Sequence, residues 1–159
     1  MRRHLWIVLA VLLVGLVALS ACSGGAPKVD WELKVTGAVS QPLTLSFDDL
    51  AGRDLDKLDK VLMERSEGDP NEDSWEGVML ATLLGEAGAA ADASAIVFRA
   101  ADEYEREVPM ADVGEAIVAL KQNGGWLTED EKAGPIRIVI PGLPGSRWVG
   151  QLVEIEVLQ

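Results

Sequence analysis

Cys22 is the only cysteine in the 159-residue chain and His4 the only histidine. A thiolate is a nucleophile and a soft metal ligand, and imidazole is the usual proton carrier near neutral pH. The position of these two residues therefore decides which chemistry is open to the protein. Both lie at the start. Arg2 and Arg3 precede an apolar run, Leu5 to Leu19, and Leu19-Ser20-Ala21-Cys22 closes it. A basic segment, an apolar segment and small residues before a break form the layout of a secretory signal. Leu5 to Leu19 is shorter than the ~20 apolar residues of a spanning helix, which disfavours an uncleaved anchor.

Leu19-Ser20-Ala21-Cys22 resembles the lipobox of bacterial lipoproteins. The resemblance implies that Cys22 receives a diacylglycerol thioether and becomes the new N-terminus. On that reading residues 1–21 are the signal peptide, and the protein sits at the extracytoplasmic face of the cell membrane, held by lipid. Lipidation consumes the only thiol and cleavage removes His4. The remaining chain has no free cysteine and no histidine, which excludes Cys/His zinc sites, histidine-ligated haem, Fe–S clusters, Ser-His-Asp and Cys-His nucleophile pairs and structural disulfides. Any catalysis falls to Asp, Glu, Lys, Arg, Tyr, Ser, Thr or a borrowed cofactor. No residue stands out as catalytic or as a metal ligand.

Two further groupings have types and spacing suited to binding. Gly142-Leu143-Pro144-Gly145-Ser146 leads into Arg147 and Trp148. One reading is an anion cradle of loop amides, the Ser146 hydroxyl and the Arg147 guanidinium. The other makes Trp148 a core residue and pairs Arg147 with a surface carboxylate. Asp69-Pro70-Asn71-Glu72-Asp73 places oxygens at alternate positions, as the first half of a calcium loop does. It then departs from that pattern, because Ser74 stands where the glycine belongs and Leu80 where the bidentate glutamate belongs. Trp75 and Trp126 read as large apolar anchors, Trp126 with the alternative of a partly exposed platform. Tyr104 reads as a hairpin cross-strand contact or a pocket hydroxyl.

These groups need a scaffold. Loss of residues 1–21 leaves 138 of the 159 residues, enough for one domain. It also removes Arg2 and Arg3, taking the formal charge from −12 to −14. Such a surface repels nucleic acid and anionic headgroups, so no nucleic-acid partner is expected and membrane attachment falls to the acyl chains. Residues 22–28, with two glycines and a proline, suit a flexible tether, and the folded domain spans 29–159.

Trp31 to Val35 and Leu43 to Phe47 alternate apolar and polar residues and predict two antiparallel strands, with Ser46 capping a short helical turn. A third strand is predicted around Leu58 to Arg65, then a polar surface loop through Ser74, then a helix from Val78 to Ala87 ending near Gly88. Ala95 to Ala100 and Tyr104 to Val108 read as a hairpin. Ala116 to Leu120 before Asn123-Gly124-Gly125, Pro135 to Pro141, and Val153 to Val157 complete the strands. Many short strands with one or two helices give a mixed α+β domain.

Four segments, in order, resemble the molybdopterin-binding domain of the sulfite oxidase family. They are Leu33 to Leu50, Trp75-Glu76-Gly77-Val78-Met79-Leu80, Ala101-Asp102-Glu103-Tyr104 through Pro109-Met110, and Asn123-Gly124 with Gly134 to Gly142 and Arg147-Trp148-Val149. The resemblance implies a single-domain, mixed-sheet fold of that type and molybdopterin as cofactor. It also implies a metal-ligating cysteine after the strand that precedes Trp-x-Gly-Val. That region reads Val61-Leu62-Met63-Glu64-Arg65-Ser66-Glu67-Gly68, without cysteine. Relatives often carry lysine after the Arg-Trp-Val element, where this chain has Gly150 and Gln151.

The expectation is therefore a lipid-anchored module of this fold that binds a small anionic ligand or an envelope protein and has lost molybdenum catalysis. Its cofactor-cleft contacts would be Ser146, Arg147 and Trp148. The alternative is a molybdopterin-dependent oxidoreductase that acts on a small oxyanion or sulfoxide without a cysteine ligand.

Overall fold

Leu33 and Val35 are fully buried while Glu32 and Lys34 between and beside them are exposed, as the alternation requires of a strand with one wet face. The computed structural model describes residues 25–64, 68–129 and 132–159. Residues 1–24, which carry the expected signal peptide, Cys22 and the start of the expected tether, and Arg65 to Glu67, Asp130 and Glu131 lie outside the described residues.

The strands are β1 (Glu32–Gly37), β2 (Leu43–Ser46), β3 (Asp56–Met63), β4 (Asn71–Met79), β5 (Ala95–Ala100), β6 (Glu105–Pro109), β7 (Ile117–Gln122), β8 (Gly125–Trp126), β9 (Arg137–Val139) and β10 (Leu152–Leu158). Two helices interrupt them, α1 (Phe47–Ala51) and α2 (Leu80–Ala87). One sheet runs β2-β1-β10-β5-β6, with β1 and β10 parallel and the other pairs antiparallel. The second runs β3-β4-β7-β8, and β9 also pairs with β7.

Inner residues of both sheets enter one hydrophobic cluster, among them Leu33, Phe98, Ile155, Trp75 and Val118. β7 is buried at Ile117, Val118, Ala119 and Leu120 in succession, so it reads as an unbroken apolar run. Ser46 caps α1 as expected: its hydroxyl accepts from the Asp49 amide, and the Asp49 carboxylate accepts from the Ser46 amide. α2 ends on Gly88 in the left-handed conformation.

Three expectations need correction. The polar stretch before Trp75 is not all loop, because β4 begins at Asn71. Its polar side chains are taken up within the sheet: Asp73 accepts from Gln122 and Asn123, and the Ser74 amide donates to Asn123. Asn71 to Asp73 are strand residues, and no group of three or more metal-ligating side chains forms among the described residues. The helix starts at Leu80, not Val78, because β4 stays paired with β7 through Met79. The strand between Pro135 and Pro141 contracts to Arg137–Val139, since proline has no amide for a ladder at either end.

Candidate functional site

Met63 ends β3, Trp75 lies on β4, Arg137 opens β9, and Trp148 follows a single 3₁₀ turn, Gly145–Arg147. The four side chains meet. The indoles of Trp75 and Trp148 pack edge to face with ring centroids 5.9 Å apart. The Arg137 guanidinium carbon lies 5.6 Å from the Trp75 ring and 5.5 Å from the Trp148 ring, so the three groups form a near-equilateral triangle. A ring face within 6 Å of a partly desolvated guanidinium attracts it, worth about 0.5–2 kcal/mol per ring where the geometry is good.

The hydrogen-bonding of the triangle is incomplete. Trp148 is 3% exposed, and its indole N–H donates to the Ile140 carbonyl at 2.9 Å. Arg137 Nη2 reaches only the thioether of Met63, at 3.8 Å, a weak acceptor. The Nε of Arg137 and the indole nitrogen of Trp75 are buried without any partner. Among the described residues no carboxylate is within ion-pair distance of Arg137. Burial pulls the guanidinium pKa below its ordinary value, partly offset by Asp73, yet an arginine remains a cation. A half-buried positive charge without a counter-ion and two orphaned donors are costly to the fold.

Arg137 and Trp148 line a cleft of about 390 Å³ together with Tyr104, Lys132, Asp102 and Gln151. Two cations face one carboxylate there. Arg106 stacks over the Tyr104 ring at 4.1 Å. A second cleft of about 380 Å³ lies between β3 and Pro141-Gly142-Leu143. Its walls carry Lys57 and Lys60 but also Asp59, Glu64 and Glu115, so it lacks the cationic bias of the first.

The three residues singled out from sequence separate in space. Trp148 lines the cationic cleft as a buried wall. Ser146 contributes its carbonyl, which accepts from the Tyr104 hydroxyl and from Arg106 Nε and so ties the loop to the β5–β6 hairpin. Arg147 is exposed and donates to the Glu107 carbonyl at 3.2 Å, away from the cleft lining. Arg137 was missed. Its signal was available, as the only charge in the apolar stretch from Pro135 to Pro141.

A model of the oxidoreductase molybdopterin binding domain matches residues 23–159. The chain belongs to this family. The domain is 29% identical to the NADH nitrate reductase of Volvox carteri over 175 residues and 28% identical to the NAD(P)H nitrate reductase of Hordeum vulgare over 172. These matches take in 86% and 84% of the chain but 20% and 19% of the relatives, so the chain spans about a fifth of their length. Its fold matches the sulfane dehydrogenase SoxCD of Paracoccus pantotrophus with a TM-score of 0.74 at 24% identity, over 86% of this chain and 40% of that one. The mixed, β-rich, single-domain fold is thus the molybdopterin-binding fold of the sulfite oxidase type.

The donor set can be tested against the family's group. The thiolate expected after β3 is absent, since Val61 to Gly68 holds no cysteine; the sulfur at the strand end is the Met63 thioether, which faces the Arg137 guanidinium at 3.8 Å. The Gly142–Val149 loop closes directly on that point: the Gly145 amide donates to the Glu64 carbonyl at 2.9 Å, and a Cβ on Gly145 would stand 2.7 Å from Met63 Cγ. At Gly150, one of the two positions after Arg-Trp-Val where the resemblance implied a lysine, a Cβ would stand 2.1 Å from the Lys132 carbonyl oxygen. Residues that offer donors and a cation fit an anion. They do not fit a molybdenum ion that needs a thiolate from the Val61 to Gly68 region, which has none.

Proposed function

We propose that this domain is a lipid-anchored, extracytoplasmic binding module that takes a small anion beside Arg137 and does not carry out molybdenum catalysis. The observation that supports this most directly is the half-buried Arg137 guanidinium, without an ion-pair partner among the described residues, on the wall of a cleft that carries a second cation, Lys132. An oxyanion or carboxylate would neutralise a charge that the described residues leave unpaired, and a planar guanidinium suits both. Anchoring through Cys22 follows from the lipobox resemblance, and an envelope protein bearing an exposed carboxylate is the macromolecular form of the same ligand chemistry.

Trp75 and Trp148 flank the guanidinium, so binding is read by tryptophan fluorescence during titration with inorganic phosphate, sulfate and acetate. A saturable change is expected for at least one of the three. Arg137→Gln should weaken that binding by about 1.5–3 kcal/mol, the range for a charged hydrogen bond, and Arg147→Ala should leave it unchanged. A flat response to all three anions would refute the reading.

The matches to nitrate reductases favour a second reading, a molybdopterin-dependent oxidoreductase acting on a small oxyanion or sulfoxide. Metal analysis separates the two: molybdenum co-purifying with protein made in a cofactor-producing host would favour the enzyme.

A further inference from the structure

We propose that Met63 is a modification site: oxidation of its thioether to the sulfoxide closes the Arg137 cleft to anions, and reduction reopens it. The inference rests on the anion-binding reading above and names how that site is regulated.

Met63 ends β3 half-buried, at the border of the core. Its sulfur lies 3.8 Å from Arg137 Nη2 and is the only acceptor that this guanidinium reaches among the described residues. A thioether accepts weakly. Arg137 is therefore held chiefly by the rings of Trp75 and Trp148. Its Nε is sealed from the cleft, so an entering anion meets the two terminal nitrogens, and a two-pronged grip needs both.

Hydrogen peroxide changes the acceptor. The sulfur lone pair attacks one peroxide oxygen, and a sulfur–oxygen bond forms as the oxygen–oxygen bond breaks. The other oxygen leaves as hydroxide and takes the proton of the transferred oxygen, giving sulfoxide and water. Sulfur is oxidised by two electrons and the peroxide reduced by two. The new oxygen lies one bond length closer to Nη2 than the sulfur does, which brings it to the range of about 2.7–3.2 Å for an N–H···O bond. A hydrogen bond with a charged donor is strong, so Nη2 is taken and the anion loses one prong. The guanidinium is not free to present another edge, since both indoles that hold it are fixed in the core. The change is reversible by the two methionine sulfoxide reductases, one for each sulfoxide epimer.

The full chain is treated with hydrogen peroxide, the peroxide is removed, and oxidised methionines are located by peptide mass spectrometry. Tryptophan fluorescence is then followed during titration with inorganic phosphate, sulfate and acetate. Oxidation of Met63 should weaken whichever of these binds by about tenfold, the lower end for a charged hydrogen bond, and the two reductases should restore it. Met63→Leu conserves volume and keeps Met79 and Met110, so it should bind as the unaltered chain does and be insensitive to peroxide. Met63→Gln carries a permanent carbonyl acceptor and should bind weakly without peroxide.

If the untreated chain binds none of the three anions, the anion-binding reading falls and this inference with it. If it binds and oxidised Met63 leaves the affinity unchanged, the reading stands and this inference alone is overturned. A Met63 that stays a thioether under conditions that oxidise free methionine overturns it as well. Peroxide should lower the melting temperature of the unaltered chain no more than that of Met63→Leu, because the new bond to Arg137 offsets the polarity brought to the border of the core. A larger drop would mean that the oxygen breaks the packing, and would overturn the inference even where anion binding is lost.

Discussion

The indole of Trp148 meets that of Trp75 edge to face, with the ring planes at 85° and the centroids 5.9 Å apart. Trp75 belongs to a central strand of the second sheet and Trp148 to the loop that returns to β10, so this one contact joins the sheet to the loop that roofs the site. Edge-to-face pairs add about 0.5–1.5 kcal/mol beyond the area they bury. The loop is also tied down by Trp148 to the Ile140 carbonyl and by Gly145 to the Glu64 carbonyl. Arg137 is therefore presented by a fixed wall.

Truncation of Trp75 tests that wall. Trp75 is fully buried, so Trp75→Ala should cost about 3–5 kcal/mol in urea denaturation, the range for large buried aromatics. It should also abolish any anion-dependent fluorescence from Trp148, because Arg137 loses one of its two ring contacts. A midpoint shift no larger than that of a surface variant would place Trp75 outside the core.

The period-two segments were legible because each has one buried face. Leu33 and Val35 on β1, and Ile155 and Val157 on β10, announce themselves by alternation. β4 was only partly legible: its outer half is polar on both faces, and the pairing that makes Asn71 to Ser74 a strand comes from Asn123 and Gln122, some fifty residues away. The site was harder still. Arg147 looked like the anion ligand because it adjoins a glycine-rich loop, but the 3₁₀ turn carries its side chain outward to Glu107. Arg137 looked like a strand residue, and only the convergence of β4, β9 and the loop shows that it faces two tryptophans.

Acid stability should depend on Glu154. Its carboxylate accepts from the Thr36 hydroxyl at 2.8 Å and from Arg99 at 2.9 Å, and these bonds, Thr36 foremost, hold its pKa below the ordinary value of 4.5. A carboxyl whose pKa is lower folded than unfolded contributes stability that is fully present above the unfolded value and is lost as pH falls through the folded one. The melting temperature should thus decline below about pH 4.5, and Glu154→Gln should flatten that decline while lowering stability at neutral pH. Parallel pH profiles for the two proteins would remove Glu154 from the account.

Gly150→Lys tests how rigidly the backbone around Lys132 is packed. The new Cβ would stand 2.1 Å from the Lys132 carbonyl oxygen and 3.0 Å from Ala133 Cα, so the 132–133 segment must shift. Overpacking of this kind costs about 1–3 kcal/mol. A denaturation midpoint equal to that of the unaltered protein would show that the segment yields freely and that the cleft can reopen.

Replacement of Cys22 by Ser tests how the domain reaches the membrane. Among the described residues no helix is long and apolar enough to cross a bilayer, and the formal charge of −12 gives anionic headgroups nothing to attract. Acyl chains, at about 0.8 kcal/mol per buried CH₂, would then supply the attachment. In detergent phase separation the unaltered protein should enter the detergent phase, and the mass of its N-terminal peptide should include diacylglycerol on Cys22. Cys22→Ser should lose that mass and move to the aqueous phase. Retention of the variant in the detergent phase, with Leu5 to Leu19 still present in its N-terminal peptide, would mean that the apolar segment itself is the anchor and that the lipobox reading is wrong.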